Sequence, residues 1–139
     1  MKLSNNLSFE NIVQQYEELY DCYYNADQVE QLRLGYGKVD ISKYANGKYN
    51  SAQMTFIRTC LQSNHDATYL LDPKLTMGQM DLILKGLEAD IDVSSYANSS
   101  MQCVEMAQIL KELAKQAKKK VNVEQNRIVV GHKLFPYDD

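Results

Sequence analysis

A short apolar phrase recurs four times in this chain at intervals of 25 or 26 residues, and that recurrence limits the fold more tightly than any single residue does. Val29, Met54, Met80 and Met106 open the four copies. Leu32, Ile57, Ile83 and Ile109 follow three residues later, and Tyr36, Leu61, Leu87 and Leu113 four residues after those. Spacings of three and four keep side chains on one face of a helix, so each copy predicts a helix of about three turns with one apolar stripe. Gln28, Gln53, Gln79 and Glu105 stand immediately before the stripe. Asn25-x2-Gln28, Asn50-x2-Gln53 and Thr76-x2-Gln79 have the form of a capping box, which makes the glutamine a helix-start device.

A second element repeats behind the first. Asp40-Ile41-Ser42-Lys43-Tyr44-Ala45-Asn46, Asp66-Ala67-Thr68-Tyr69-Leu70-Leu71-Asp72 and Asp92-Val93-Ser94-Ser95-Tyr96-Ala97-Asn98 share one pattern. Its Asp-x-Ser/Thr step predicts a turn or second helix cap leading into a short helix. Neither piece can bury its apolar face alone, and stacking the units makes one core. The fold class is therefore mainly all-α, in stacked units of about 26 residues over 25–49, 50–74, 75–99 and 100–120. The fourth copy lacks the second element, as a terminal unit facing water should. Residues 7–24 predict an amphipathic N-terminal capping helix with Ser8 as N-cap and Ile12, Tyr16, Leu19, Tyr20 and Tyr23 at helical spacing. Val121, Val123 and Ile128-Val129-Val130 before Gly131 predict a short hairpin or extended tail over 121–139.

At 139 residues the chain is expected to form one domain. No apolar run reaches membrane-spanning length, and Met1-Lys2 is not followed by a secretory apolar segment, so a cytoplasmic protein with no membrane partner is expected. Cys22, Cys60 and Cys103 are odd in number and form no CxxC pair, which fits reduced thiols.

The residues offer little chemistry. Enzymes need a nucleophile beside its base, paired carboxylates in a cleft, or a metal cluster. The two imidazoles, His65 and His132, have no reason to meet, and neither has a second His or Cys at ligand spacing. Asp40, Asp66 and Asp92 could form a carboxylate row that holds a cation, but capping accounts for residues present in every unit. Cys103 opens a predicted helix without a neighbouring base. A non-enzymatic protein without cofactor or metal is the expectation. Met77 and Met101 lie off the apolar stripe and are expected at the surface, while the crowding of Tyr16, Tyr20, Tyr23 and Tyr24 leaves ring surface for a partner.

Charge is segregated along the chain. Glu10, Glu17, Glu18, Asp21, Asp27 and Glu30 make the beginning acidic; Lys111, Lys115, Lys118, Lys119, Lys120, Arg127 and Lys133 make the end basic. Lysines in a last helical turn suit the helix dipole, and acids on a first helix form a solvated face. A nucleic-acid interface using Lys115, Lys118, Lys119, Lys120 and Arg127 is the alternative, although the net charge of -3 falls short of the basicity usual for such modules.

The phrase Gln79-Met80-Asp81-Leu82-Ile83-Leu84-Lys85-Gly86-Leu87-Glu88, followed by Asp92-Val93-Ser94-Ser95-Tyr96-Ala97, resembles a tandem repeat of the form QMxxIxxGLxxxxDVSxYA. That repeat occurs in uncharacterised proteins of Gram-positive gut bacteria and their mobile elements. The resemblance is sharpest over residues 75–98 and looser over 25–74, where Gly35 keeps the glycine and Cys60 replaces it. It implies helical repeats and carries no catalytic residues. With the missing catalytic set it points to a protein-binding scaffold. Its sharper form is an inhibitor of a bacterial defence nuclease such as a CRISPR effector. Specificity in such scaffolds lies at positions that vary between copies, here Arg33, Thr55, Arg58, Thr59, Gln62, Asp81 and Lys85.

Overall fold

In the computed structural model the backbone is described for residues 8–134 and the side chains for residues 8–120. The fold is all-α, with no strand among the described residues. Five helices follow in order: α1 (Phe9–Tyr20), α2 (Ala26–Gly35), α3 (Ser51–Gln62), α4 (Met77–Glu88) and α5 (Cys103–Leu134). Single 3-10 turns at Ile41–Lys43 and Thr68–Leu70 lie between α2 and α3 and between α3 and α4.

Each helix start is written in its first residues. Asn25, Asn50 and Thr76 accept from the backbone N–H of Gln28, Gln53 and Gln79, whose side-chain carbonyls accept in return from the cap N–H at 2.8–2.9 Å. Three orphan-donor problems are thereby solved in the same way. The ends of α3 and α4 also match. Asn64 and Asp90 take left-handed conformations, φ 61° and 57°. His65 N–H then donates to Cys60 O and Ile91 N–H to Gly86 O, the Schellman closure. After α2 the turn is one residue shorter, and Gly37 carries the positive φ of 80°, which accounts for the single 25-residue interval.

The Asp-x-Ser/Thr step is the cap that its pattern predicts. Asp40, Asp66 and Asp92 each accept from the backbone N–H two residues on, at 3.0–3.1 Å. Asn46, Asp72 and Asn98 repeat the device one step later, toward the N–H of Lys48, Lys74 and Ser100. Hydrogen bonds to Thr68 and to Ser94 hold the Asp66 and Asp92 carboxyls below the usual carboxylate range.

The glutamines do more than start helices. Gln28 Nε2 donates to Tyr49 O at 2.8 Å, Gln53 Nε2 to Pro73 O and Leu75 O at 2.9 Å, and Gln79 Nε2 to Ser99 O and Met101 O at 3.0 and 2.7 Å. Each acceptor lies just before the next helix. One side chain thus fixes the start of its own helix to the start of its neighbour, so α2, α3, α4 and α5 run parallel with their N-termini side by side. Gln53 and Gln79 are buried, where unpaired amides would be costly. Glu105 stands at this position in the last copy, exposed, with no further unit to hold. There a carboxylate in the first turn suits the helix dipole instead.

The core sits between the helix layer and the 3-10 layer. Leu32, Met54, Ile57, Met80, Ile83 and Met106 enter from the helices; Ile41, Tyr44, Ala67, Leu70, Val93 and Tyr96 enter from the other side. Tyr44 and Tyr96 are fully buried and their hydroxyls donate to Gln31 O and Leu82 O at 2.9 and 2.8 Å. Burial pushes both phenols up to about 12.

Several expectations change. Tyr36 lies beyond the last residue of α2 and is partly exposed, tilted against Phe9 of α1 at 5.6 Å between ring centroids. In α1 the buried pair is Ile12 and Val13 and Leu19 is 50% exposed, while Tyr23 is 93% exposed because Asp21 ends the helix in a left-handed cap before it. Met77 is at the surface as expected; Met101 instead packs on the core. The extended or hairpin tail expected from residue 121 is replaced by helix, since α5 runs on to Leu134. No Gly or Pro interrupts residues 103–130, so a helix already nucleated extends at small cost per residue. Residue 7 of the capping segment and 135–139 of the tail lie outside the described residues.

Candidate binding surface

The apolar stripe turns one side of each helix inward, and at 100° per residue the opposite side holds the positions two, six and nine residues after the repeated glutamine. Thr55 and Asp81 occupy the first of these, Thr59 and Lys85 the second, and Gln62 the third. The structure therefore brings five of the seven variable residues together on the outer face of the adjacent helices α3 and α4. Lys85 Nζ and Asp81 form an exposed ion pair at 2.9 Å. The Thr55 hydroxyl donates to Ser51 O at 2.9 Å, as β-hydroxyls in helices do.

The two arginines do not join them. Both stand five residues after the glutamine, on the flank of the helix. Arg58 Nε reaches across to Gln31 Oε1 of α2 at 3.0 Å and its NH1 donates to Gln62 Oε1 at 2.8 Å, so this side chain ties α3 to α2. Arg33 pairs with Glu30 on its own helix. In the later copies the same flank position is Leu84 and Leu110, and Phe56 and Leu82 stand where Gln31 stands. The groove between helices is polar at α2/α3 and apolar beyond it.

Sequence reasoning placed Met77 at the surface but missed that the outer face continues through Cys103 and Val104 at the start of α5. Met77 is 56% exposed in the turn before Asp81, and Cys103 and Val104 are exposed at the start of α5. Gly78 permits this close approach of α4 and α5, because a Cβ there would lie 3.1 Å from Cys103 Sγ. The signal was available in the register, since Met77 and Cys103 precede their glutamine or glutamate by two residues.

Lys115, Lys118, Lys119 and Lys120 are exposed on α5, with Lys115, Lys118 and Lys119 around one shallow depression that also includes Glu112 and Gln116. The side chain of Arg127 lies outside the described residues. Among the described residues no three His, Cys, Asp or Glu side chains gather as metal ligands, and no helix is long and apolar enough to cross a membrane. The Asp40, Asp66 and Asp92 carboxylates are engaged as caps. A groove of about 750 Å³ between the turn at Ala89–Asp92 and α5 is lined by Ile91, Leu113 and Ala117, with Asp90, Asp92 and Lys120 at its polar edge and no nucleophile-base pair.

The three thiols sit in different surroundings. Cys60 is buried, and desolvation pushes its thiol up to about 11; Cys103 is exposed and Cys22 is intermediate. Titration of the folded protein with an aromatic disulfide near neutral pH should modify Cys103 first and Cys22 more slowly. Cys60 should react only after denaturant is added, because thiolate and access are both needed. Prompt reaction of all three thiols would contradict the packing around Cys60.

Comparison with family models, characterised proteins and solved structures returns no match to this chain.

Proposed function

We propose that the chain is a non-enzymatic protein-binding scaffold of the bacterial cytoplasm whose partner docks on the outer face of α3 and α4, over Thr55, Thr59, Gln62, Asp81 and Lys85. One observation carries this reading. The polar residues that recur from unit to unit, the glutamines, the capping aspartates and the buried tyrosines, spend their hydrogen bonds inside the chain. Of the positions that differ between units, Thr55, Thr59, Gln62, Asp81 and Lys85 are turned outward. Arg58 borders that face and ties α3 to α2, while Arg33 pairs with Glu30 on α2. In its specific form the partner is a bacterial defence nuclease such as a CRISPR effector, inhibited by binding; the resemblance to mobile-element repeats motivates that choice.

The second reading is a nucleic-acid interface on α5. It is favoured by the exposure of Lys115, Lys118, Lys119 and Lys120, none of which forms an ion pair with a described residue. The two readings separate under salt, because phosphate contacts weaken steeply as counterions compete.

Capture from a lysate of a Gram-positive gut bacterium, at low and high salt with nuclease treatment, should retain a protein partner in high salt. The double variant Thr59→Glu, Lys85→Glu should lose that partner, with Tm within a few degrees of the parent because both sites are on the surface. Retention of nucleic acid alone, vanishing in salt and on reversal of the α5 lysines, would replace the protein-binding reading. Addition of the purified protein to a nuclease cleavage reaction tests the inhibitor form directly; unchanged cleavage at saturating protein would dismiss it for that nuclease.

A further inference from the structure

The ends of the stack carry opposite charge. From residue 3 to residue 32 there is no Lys, Arg or His, against Glu10, Glu17, Glu18, Asp21, Asp27 and Glu30; from 106 to 120 there are five lysines and one acid, Glu112. Packing runs in order from α1 to α2, α3, α4 and α5, so these segments occupy the two ends. Most of this charge is not consumed internally. Among the described carboxylates of α1, Glu17 alone is held, accepting from Tyr24 N–H at 3.0 Å.

At each end the charges gather on one helix face. At the α1 end Glu17, Glu18 and Asp21 surround a depression formed with Gln14, Cys22 and the almost fully exposed Tyr23. At the other end α5 packs on α4 from one side only. Lys115, Lys118 and Lys119 stand on the side of α5 turned away from Leu113 and Ala117, around a depression shared with Glu112 and Gln116.

We propose that the α5 end of one molecule docks on the α1 end of a second copy, head to tail. Complementary charge selects this orientation and rejects the two like-end pairings, where lysine would face lysine or acid face acid. The contact is heterologous, leaving one free surface of each kind, so it propagates into open chains and not a closed dimer. The surface is distinct from the outer face of α3 and α4, and self-association is measured without any other partner. Its failure would therefore leave the binding-scaffold reading untouched.

Sedimentation velocity of the full chain over a concentration series tests the proposal. The wild type should form a ladder of species at low salt, with apparent association weakened on the order of tenfold between about 0.05 M and about 0.5 M salt as the Debye length shortens. The pair Gln14→Lys, Glu18→Lys reverses one face of α1 and spares Glu17. The set Lys115→Glu, Lys118→Glu, Lys119→Glu reverses one face of α5. Circular dichroism should show both variants folded, and each alone should sediment as a monomer. An equimolar mixture should associate, since each variant retains the end that the other has reversed. A wild type that stays monomeric at every concentration in low salt overturns the proposal, as do multimers that persist in both variants or a mixture that remains monomeric.

Discussion

Gly86→Ala is expected to destabilise the protein by about 3 kcal/mol, read from denaturant midpoints at constant m-value. A Cβ at Gly86 would stand 2.1 Å from the Tyr96 hydroxyl and 2.6 Å from Val93 Cγ1, closer than real side chains approach. The buried ring cannot retreat without giving up its bond to Leu82 O, so overpacking adds to the loss of a satisfied hydroxyl. Copy one has the same arrangement, with Gly35 under Tyr44 and beside Ile41. Copy two solves the contact differently. Cys60 fills the glycine position, Leu70 replaces the tyrosine, and Ala67 stands where Ile41 and Val93 stand, all three buried in the same cluster. Transplanting that solution as Gly86→Cys, Val93→Ala, Tyr96→Leu should therefore recover most of the stability that Gly86→Cys alone loses. A coupling of about 1–3 kcal/mol between position 86 and the other two is the expected signature. Strict additivity would show that the three positions do not share one space.

The helical units, their starts and the capping role of each aspartate are legible in the sequence because they depend on neighbours three or four residues apart. Asn50 with Gln53, or Asp66 with Thr68, can be read without knowing where the chain goes next. Cys60 and Leu70 are both visible as departures from the pattern, yet their compensation is not, because it acts between the helix layer and the 3-10 layer. Arg58 misleads for a similar reason. Variation between copies marks surface specificity only if the position faces solvent, and Arg58 varies because the groove it occupies changes from polar to apolar along the stack. Tyr36 and Tyr23 satisfy the helical spacing but fall beyond helix ends set by the backbone, at Gly35 and by the left-handed Asp21. The expected tail rests on β-branched residues whose strand preference needs a pairing partner to be expressed. Of the outer face, α3 and α4 are found through repeat register and Met77 because it lies off the apolar stripe, while the exposed Cys103 and Val104 escape notice because apolar residues are assigned inward by default.

Gln53→Leu should be at least as damaging as Gly86→Ala, by about 3–5 kcal/mol, since it preserves size while removing donors from two carbonyls. Pro73 O and Leu75 O both receive Gln53 Nε2 at 2.9 Å, beside a buried side chain, and a buried acceptor left empty costs about 1–3 kcal/mol. The cap N–H of Asn50 loses its partner as well, though Asn50 is exposed and water can replace it. Gln28 gives one such bond from a half-buried position, so Gln28→Leu should cost about 1–2 kcal/mol. Glu105→Gln, at the unit with no successor, should change stability by less than about 0.5 kcal/mol. Gln53→Glu is the discriminating case. It retains the oxygen that accepts from Asn50 N–H but points a second oxygen at Pro73 O and Leu75 O, so ionisation in the folded chain is disfavoured and the folded carboxyl pKa is raised. The unfolded chain then ionises first, from about pH 4.3, and the penalty grows as pH rises above that value. Stability should be partly restored below it, where a protonated carboxyl again donates one bond. A loss independent of pH would mean that the amide only fills space. A loss that follows the carboxyl titration would establish the amide's donors as the link between successive units. It would also account for Glu105 standing at this position in the fourth copy, where no following helix start is held.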